Sequence, residues 1–257
     1  MAHGSLYSTA FPRPPRKPLS LSIVLPCYNE EENVERVAGD ALRMARQLAD
    51  DYEVVIVNDG SRDRTGELAE AMSRRDSHLR VVHNNPNKGY GGALAAGFRA
   101  ASKQWVFYTD GDGQFDLGEL PKLLPLLEQY DIVTCYRAKR RDPIHRKINA
   151  FMWTSLVGLL FRLRIRDVDC AFKIYPKHLF ERITMHSNSA LIDTEVLAKA
   201  RNLGYTMTQI PVTHLPRAAG TQTGAKLSSI FKAFRELFAL YRNINAEGRE
   251  HGGGRAN

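Results

Sequence analysis

Short apolar runs alternate with helical stretches through the first half of the chain, and this alternation restricts the fold more than any other feature. Three of the runs are LSIVLP at 21–26, YEVVIV at 52–57 and WVFY at 105–108. The last has no polar break, which is typical of a strand covered on both faces of a sheet. The βαβ order predicts an α/β fold, with a mostly parallel, Rossmann-like central sheet flanked by helices. Ligands bind such sheets at the carboxyl ends of the strands.

The remaining elements follow from the same patterns. We predict further strands at 79–83, 131–136 and 205–214, and helices at 62–76, 91–102, 117–129 and 189–204. Another helix is expected to begin in CYNEEEN, with Glu30, Glu31 and Glu32 in its first turn, where negative charge complements the helix dipole. An apolar stripe at 226–242 predicts a C-terminal amphipathic helix. We therefore divide the chain into a disordered leader (1–19), one domain (20–225), this helix (226–245) and a flexible tail (246–257).

A turn rich in aspartate and glycine follows the strand at 105–108. Asp110, Asp112 and Gln114 alternate with Gly111 and Gly113. In an extended backbone, side chains two residues apart point to the same side, so these three sets of oxygen atoms can converge. Oxygen ligands of this kind suit a hard divalent cation. A solvated acidic turn is the alternative interpretation, because Asp and Gly are ordinary turn residues.

The basic residues are concentrated in the second half of the chain. The chain has 36 Lys and Arg against 28 Asp and Glu, a net charge of +8, but the net charge is −4 up to Tyr136 and +12 from Arg137 onward. A basic half can face nucleic acid, an anionic membrane or a phosphorylated substrate. We exclude nucleic acid, because the basic run has no interleaved aromatic residues and no recognised reader motif accompanies it.

The three cysteines and the hydropathy pattern point to a reducing compartment without a membrane span. Cys27, Cys135 and Cys170 lie far apart with no C-x-x-C spacing, so neither a zinc site nor a disulfide framework is expected. The longest mostly apolar run, 150–161, is shorter than the roughly 20 residues that cross a bilayer. We therefore expect a cytoplasmic protein.

Four motifs in this order resemble those of the inverting family 2 glycosyltransferases. They are PCYNEEEN at 26–33, VNDGSRDRT at 57–65, NKGYGGAL at 87–94 and DGDGQFD at 110–116. Within the family, the chain is similar to the branch that includes dolichyl-phosphate mannosyltransferase and related polyprenyl-phosphate sugar synthases, from about residue 21 to 226. The resemblance implies the GT-A fold, a nucleoside diphosphate sugar as donor and Mg²⁺ or Mn²⁺ as cofactor.

The resemblance also implies a donor site. Asp110, Asp112 and Gln114 would hold the cation, and Asp59 would bind the nucleobase, although capping of the next turn is an alternative role for Asp59. The other expected donor-site residues are Pro26, Tyr28, Glu30, Lys88 and Gly89, with Glu30 near the ribose. For Lys88 and Gly89 the alternative is a glycine turn that begins a helix.

The expected acceptor site lies in the basic half. The basic run at 137–147 leads into an apolar helix, which suits a membrane interface; a solvated charge run and a buried core helix are the alternatives. DVDCAFK at 167–173 and HLPRAAGTQTG at 214–224 are similar to family motifs, with Ala171 in place of a glycine and Thr223 near an expected serine. The resemblance implies that the acceptor phosphate is bound by Arg137, Arg146, His214 and Arg217, and we regard Asp112, Arg137 and Arg217 as the catalytic candidates.

The charge of the second half favours a phosphate acceptor. A sugar hydroxyl needs a base to remove its proton, and Asp193 and Glu195 stand near where hydroxyl-glycosylating relatives place one. A phosphate monoester has a second pKa near 6, so it is largely ionised already and needs mainly cationic partners. We expect transfer of a hexose to polyprenyl phosphate at the cytoplasmic face of a membrane, with peripheral attachment or a membrane partner subunit. The alternatives are a hydroxyl acceptor with Asp193 as base, and a sugar nucleotidyltransferase.

Overall fold

A seven-stranded mixed sheet forms the centre of the protein. The computed structural model describes residues 19–138, 144–216 and 227–252, with side chains in the two helices next to the gaps described for 152–161 and 234–246. The strands are β1 (Ser20–Cys27), β2 (Asp51–Asn58), β3 (Leu79–His83), β4 (Trp105–Thr109), β5 (Ile132–Arg137), β6 (Phe172–Pro176) and β7 (Met207–Val212). Their order across the sheet is β3-β2-β1-β4-β6-β5-β7.

Six of these strands run in one direction and β6 runs against them. β1 pairs in parallel with β2 and β4, and β5 pairs in parallel with β7. β6 is antiparallel to both β4 and β5. The carboxyl ends of β1, β2, β4, β5 and β7 and the amino end of β6 therefore meet at one edge of the sheet, as the mostly parallel α/β prediction requires.

Helices cover the sheet. They are α1 (Val34–Leu48), α2 (Thr65–Ser73), α3 (Gly89–Ala100), α4 (Ile144–Phe161), α5 (Lys177–Arg182), α6 (Leu191–Asn202) and α7 (Leu227–Gly252). Strands β1, β2, β4 and β6 are almost fully buried; in β1, for example, Leu21, Ile23 and Val24 have no exposed surface. The edge strands β3 and β7 are partly exposed. Burial on both faces explains why the central strands are continuous apolar runs.

Two predicted helices differ from the structure. Residues 117–129 form two short 3₁₀ helices, Leu117–Lys122 and Leu124–Glu128, rather than one α-helix. Pro121 and Pro125 explain the break, since each removes an N–H that an α-helix needs. Glu30, Glu31 and Glu32 precede α1, which begins at Val34, so their predicted place in its first turn was wrong.

The sequence reasoning did not identify β6. This strand (FKIYP) was interpreted only as the end of a motif, yet all five of its residues are buried between β4 and β5. Because it runs against its neighbours, its first residues lie at the same edge as the carboxyl ends of the other strands. A buried lysine, Lys173, thereby lies close to the end of β4.

Helices α4 and α7 pack on each other and leave apolar side chains exposed. Trp153 lies edge-on to Phe234 at 5.8 Å, and Phe161 to Tyr241 at 5.8 Å. Only part of the predicted apolar stripe of α7 is buried: Leu237 is fully buried, whereas Phe238 is 55% exposed. α7 also continues to Gly252, past the predicted boundary at 245. None of the described helices is long and apolar enough to cross a membrane.

Candidate active site

The aspartate-glycine turn begins directly after β4 and lies against the end of β1. The N–H of Gly111 donates to the carbonyl of Pro26 at 3.2 Å. A Cβ on Gly111 would lie 2.5 Å from Sγ of the buried Cys27. Only glycine therefore allows the turn to approach β1 this closely, and this contact places Asp110 and Asp112 between the ends of β1 and β4.

Gly113 gives the turn its second constraint. Its φ is +70°, in the left-handed region that favours glycine. A Cβ there would lie 2.0 Å from a guanidinium nitrogen of Arg36, which extends from the first turn of α1. The N–H of Gln114 then donates to Oδ1 of Asp112 at 3.0 Å, so the turn is closed by one of its own carboxylates.

The charged form of the Asp110 carboxylate is disfavoured at this position. Partial burial, together with the negative charge of Asp112, raises the pKa of Asp110 to about 7. The Tyr90 hydroxyl donates to Oδ1 of Asp110 at 3.0 Å. Among the described residues, no group of three or more His, Cys, Asp or Glu side chains is placed to hold a metal ion. Two carboxylates plus the Gln114 amide oxygen fit a Mg²⁺ or Mn²⁺ ion whose remaining ligands are substrate phosphates and water.

Asp59, at the end of β2, is 3% exposed and bound to the segment that leads into α3. Its Oδ1 accepts from Nδ2 of Asn84 at 2.8 Å and from the backbone N–H of Lys88 at 2.9 Å. Its own N–H donates to the carbonyl of Cys27 at 2.9 Å. These bonds differ from the local capping that was the alternative role for Asp59. Its contact with a nucleobase stays a prediction.

The other predicted donor-site residues surround the same edge. Tyr28 is 45% exposed just beyond β1, and the Lys88 side chain is exposed at the start of α3. Glu30 is buried and accepts from Nδ2 of Asn33 at 2.8 Å, while its backbone N–H donates to Thr65 Oγ1 at 2.7 Å. Gly89 has a φ of +78° where the chain turns into α3. Lys88 and Gly89 therefore do form the glycine turn that begins a helix, which was the alternative for this segment. Their contacts with the nucleoside remain predictions.

The segment after β7 is joined to the aspartate-glycine turn by two hydrogen bonds. The N–H of Leu215 donates to the carbonyl of Gln114 at 2.7 Å, and Nε2 of Gln114 donates to the Leu215 carbonyl at 3.2 Å. Phe115 and His214 form an antiparallel bridge, with ring centroids 5.1 Å apart. The predicted acceptor residue His214 is therefore directly beside the predicted metal ligands, about 100 residues away in sequence.

Arg137 lies at the end of β5 and is already paired. Its Nε and Nη2 each donate to Asp167 at 2.7 Å, one to each carboxylate oxygen. This bidentate pair outweighs the effect of burial and raises the pKa of Arg137 above its ordinary value. Arg137 is thus held rigidly at the site edge. Of its predicted partners, Arg217 and the Arg146 side chain lie outside the described residues.

A buried ionic cluster that the sequence reasoning missed lies at the end of β4, next to the aspartate-glycine turn. Lys173 has no exposed surface; its Nζ donates to Asp193 at 2.7 Å, to the Tyr108 hydroxyl at 2.9 Å and to the Cys170 carbonyl at 2.6 Å. The Tyr108 hydroxyl also donates to Asp193. The sequence does carry a signal for this cluster, because each charged residue lies within a mostly apolar stretch. Lys173 lies in FKIYP and Asp193 in ALIDTEVLA.

The second carboxylate of α6 has a structural role of its own. Glu195 is fully buried and accepts from the backbone N–H groups of His186 and Ser187 at 2.8–3.0 Å, and it pairs with Lys199 at 3.1 Å. It thereby fixes the loop before α6, and that loop packs on the start of α3, where the N–H of Gly91 donates to the Asn188 carbonyl at 3.1 Å.

Comparison with known proteins agrees with this geometry. The profile described as "Glycosyl transferase family 2" matches residues 22–184. The chain is 32% identical over 211 residues to glycosyltransferase AglD of Haloferax volcanii, covering 77% of this chain and 34% of that protein. It is 30% identical over 203 residues to undecaprenyl-phosphate 4-deoxy-4-formamido-L-arabinose transferase of Photorhabdus laumondii, covering 78% and 61%. The chain thus spans between a third and three fifths of these relatives.

Solved structures share the fold at lower identity. Glucosyl-3-phosphoglycerate synthase from Mycobacterium tuberculosis, in complex with Mn²⁺, UDP and phosphoglyceric acid, superposes with a TM-score of 0.63 at 20% identity, over 90% of this chain and 78% of that one. Mannosyltransferase PcManGT from Pyrobaculum calidifontis, in complex with GDP-Man and Mn²⁺, gives 0.63 at 18% identity, over 93% and 72%. Together with the matched profile and the order of strands, these likenesses show that the chain has the GT-A fold and belongs to glycosyl transferase family 2.

Proposed function

We propose that this chain transfers a hexose from a nucleoside diphosphate sugar to a polyprenyl phosphate, with a divalent cation, at the cytoplasmic face of a membrane. The relative from P. laumondii is named for an undecaprenyl-phosphate acceptor. In the reaction, an acceptor phosphate oxygen attacks C1 of the sugar, the bond from C1 to the donor phosphate oxygen breaks, and the nucleoside diphosphate leaves with the electron pair. The attack from the opposite face inverts the configuration at C1.

The donor half of this proposal rests on the turn at Asp110 and Asp112. A cation bound there supplies charge stabilisation to the departing diphosphate. The protein's own contribution is to hold two carboxylates and the Gln114 amide at the end of β4, through the glycines that contact β1 and Arg36. Two structural neighbours bind Mn²⁺ together with UDP or GDP-Man.

The acceptor half rests on one observation: Asp193 is held by Lys173. A general base must reach a substrate hydroxyl and be able to gain a proton. Asp193 is 3% exposed, and its Oδ1 accepts from both Lys173 Nζ and the Tyr108 hydroxyl. A carboxylate so enclosed suits a structural role, and an acceptor that arrives ionised needs no base.

Two of the residues expected to bind the acceptor phosphate, Arg137 and His214, lie at the same edge of the sheet. Arg137 ends β5 and His214 follows β7, and the bridge between His214 and Phe115 joins that segment to the aspartate-glycine turn. Guanidinium groups bind phosphate bidentately, so Arg137 would exchange or share its bonds to Asp167 when the acceptor binds. The acceptor oxygen would then lie close to the donor phosphates.

Membrane attachment would use the face formed by α4 and α7. Its exposed apolar side chains are Met152, Leu159, Phe234 and Phe238, with exposures from 40% to 78%. Exposed arginines border this face, at Arg162 and Arg164 after α4 and at Arg235 and Arg242 on α7. An apolar face bordered by cations is typical of helices that lie on an anionic membrane surface.

The test is a transfer assay with defined acceptors. Purified protein is incubated with Mn²⁺, radiolabelled GDP-mannose or UDP-glucose, and either undecaprenyl phosphate or a free sugar, and label is counted in the organic and aqueous phases. We expect metal-dependent label in the organic phase that mild acid releases, as from a glycosyl phosphodiester, and none with Asp112→Asn. Label in a free-sugar product alone would refute the phosphate acceptor, and release of pyrophosphate from a nucleoside triphosphate would identify a nucleotidyltransferase instead.

A further inference from the structure

Lys88 and Tyr90, at the start of α3, each hold a carboxylate that follows a strand, and the two strands, β2 and β4, lie on either side of β1. The Lys88 backbone N–H donates to Oδ1 of Asp59 at 2.9 Å, and two residues later the Tyr90 hydroxyl donates to Oδ1 of Asp110 at 3.0 Å. The first bond joins a backbone N–H to the carboxylate predicted to bind the nucleobase, whereas the second joins a side chain to a predicted metal ligand. Neither the sequence motif nor the predicted donor contacts gave Tyr90 a role.

The backbone at Tyr90 is held from both sides. Gly89 adopts a φ of +78°, and a Cβ on Gly91 would lie 2.3 Å from the Ser187 carbonyl oxygen. The loop that supplies this carbonyl is in turn fixed by the buried Glu195 carboxylate, which accepts from the N–H groups of His186 and Ser187. Tyr90 therefore extends from a rigid support, so its hydroxyl fixes the position of whatever it binds.

Among the described residues, the Tyr90 hydroxyl is the hydrogen-bond partner of the Asp110 carboxylate. It follows the last residue of β4, and the next residue is a glycine that touches β1 through its backbone alone. The phenol donates to Oδ1, which fixes the carboxylate rotamer and directs Oδ2 elsewhere. Groups that hydrogen-bond a ligating carboxylate orient it for the metal in this way, and their loss typically weakens metal binding by about 10- to 100-fold.

We propose that Tyr90 is a positioning residue for the divalent cation: its hydroxyl holds Asp110 in the orientation that binds the metal. This inference rests on the proposed function, because it requires Asp110 to be a metal ligand. It adds a structural link between the NKGYGG segment and the DGDGQ turn, one that acts on the metal rather than on the nucleoside.

The test measures Mn²⁺ binding directly. Free Mn²⁺ is titrated by electron paramagnetic resonance against wild-type protein, Tyr90→Phe, Asp110→Asn and the control Tyr130→Phe, each with GDP or UDP, whichever raises the wild-type melting temperature. Tyr130 is partly exposed and precedes β5, at the opposite edge of the sheet, so its substitution removes a hydroxyl without touching the site. We expect the Kd for Mn²⁺ to rise about 10- to 100-fold in Tyr90→Phe, with no change in Tyr130→Phe and no measurable binding in Asp110→Asn.

The outcomes separate the two proposals. Wild-type Mn²⁺ affinity in Asp110→Asn would remove the metal site from the proposed function. Loss of binding in Asp110→Asn with an unchanged Kd in Tyr90→Phe would refute only the positioning role. The melting temperature and near-ultraviolet circular dichroism without metal are measured for all variants; a lower metal-free stability of Tyr90→Phe with an unchanged Kd would show that Tyr90 serves the fold alone.

Discussion

Lys173 Nζ lies 2.7 Å from Oδ1 of Asp193, and both side chains are almost entirely removed from solvent. Taking one partner out of a buried ion pair leaves the other charge without compensation, which typically costs about 3–5 kcal/mol. We therefore expect Lys173→Met to lower the free energy of unfolding by about that amount in urea titrations.

The same pair provides its own control. The double variant Lys173→Met with Asp193→Leu removes both charges, so most of the lost stability should return. The exposed pair of Arg64 and Glu67, at 3.1 Å, is the matched comparison, and Arg64→Met should leave the free energy of unfolding almost unchanged because water screens this pair. Equal losses in the single and double variants would show that packing, and not the charge, sets the cost at this position.

Glu53 makes stability depend on pH. Although burial opposes ionisation, hydrogen bonds from Ser22, Ser102 and Arg80 lower the pKa of this carboxyl below its ordinary value. A carboxyl with a lowered folded-state pKa adds stability above the unfolded pKa of about 4.3, and this is lost as the pH falls through the folded value. Glu53→Gln should therefore flatten the fall in unfolding free energy below pH 5, whereas the exposed Glu32→Gln should follow the wild-type curve.

Gly113→Ala should strain the aspartate-glycine turn through its φ of +70°, because the Arg36 guanidinium that a Cβ would meet ends a flexible, half-exposed side chain that can move aside. Gly204 is the comparison, since its φ is +86° and nothing lies within 4 Å of a Cβ there. Gly204→Ala and Gly113→Ala should each cost about 1 kcal/mol of stability, and only Gly113→Ala should weaken Mn²⁺ binding. Adding Arg36→Ala should leave the stability cost at Gly113 unchanged; a smaller cost in the double variant would show that Arg36 cannot move aside.

The fold was largely predictable because each central strand carries a strong local signal. The strand at 79–83 was predicted with its observed bounds, and the ends of β1, β2 and β4 differ by only one residue or so. The antiparallel β6 was missed because direction and pairing depend on contacts far apart in sequence, and FKIYP has no turn signal before it. The helix predicted at 117–129 was wrong because the apolar spacing was weighed above Pro121 and Pro125, which set the local backbone.

The candidate site was predictable as a set of residues, but their partners were not. Asp110, Asp112, Gln114 and His214 were chosen from motifs, and the structure places them together. The bonds that define their roles were invisible: Tyr90 to Asp110, Lys173 to Asp193 and Arg137 to Asp167 join residues 20 to 30 positions apart in sequence. Such pairs form only after the strands are ordered, so no local pattern reports them.

Arg137→Lys tests the proposed acceptor contact. Lysine keeps the charge and loses the planar fork that binds two oxygens at once. We expect the KM for undecaprenyl phosphate to rise about tenfold, which corresponds to about 1.4 kcal/mol, with the KM for the nucleotide sugar unchanged. Arg75→Lys, at an exposed position after α2, is the control. If Arg137→Lys lowers stability but leaves both KM values unchanged, Arg137 has only a structural role, through its ion pair with Asp167.

The apolar face of α4 and α7 predicts binding to anionic vesicles. Leu159 is 78% exposed and Phe238 is 55% exposed, so replacing either with glutamate removes apolar contact and adds repulsion without disturbing the core. Each variant should bind sedimented phosphatidylglycerol vesicles several-fold more weakly than wild type and keep its melting temperature. The control is Gln104→Glu, at an exposed position just before β4, which adds the same charge and should leave vesicle binding unchanged. If all three variants sediment with the vesicles as wild type does, the lipid contact lies elsewhere on the protein.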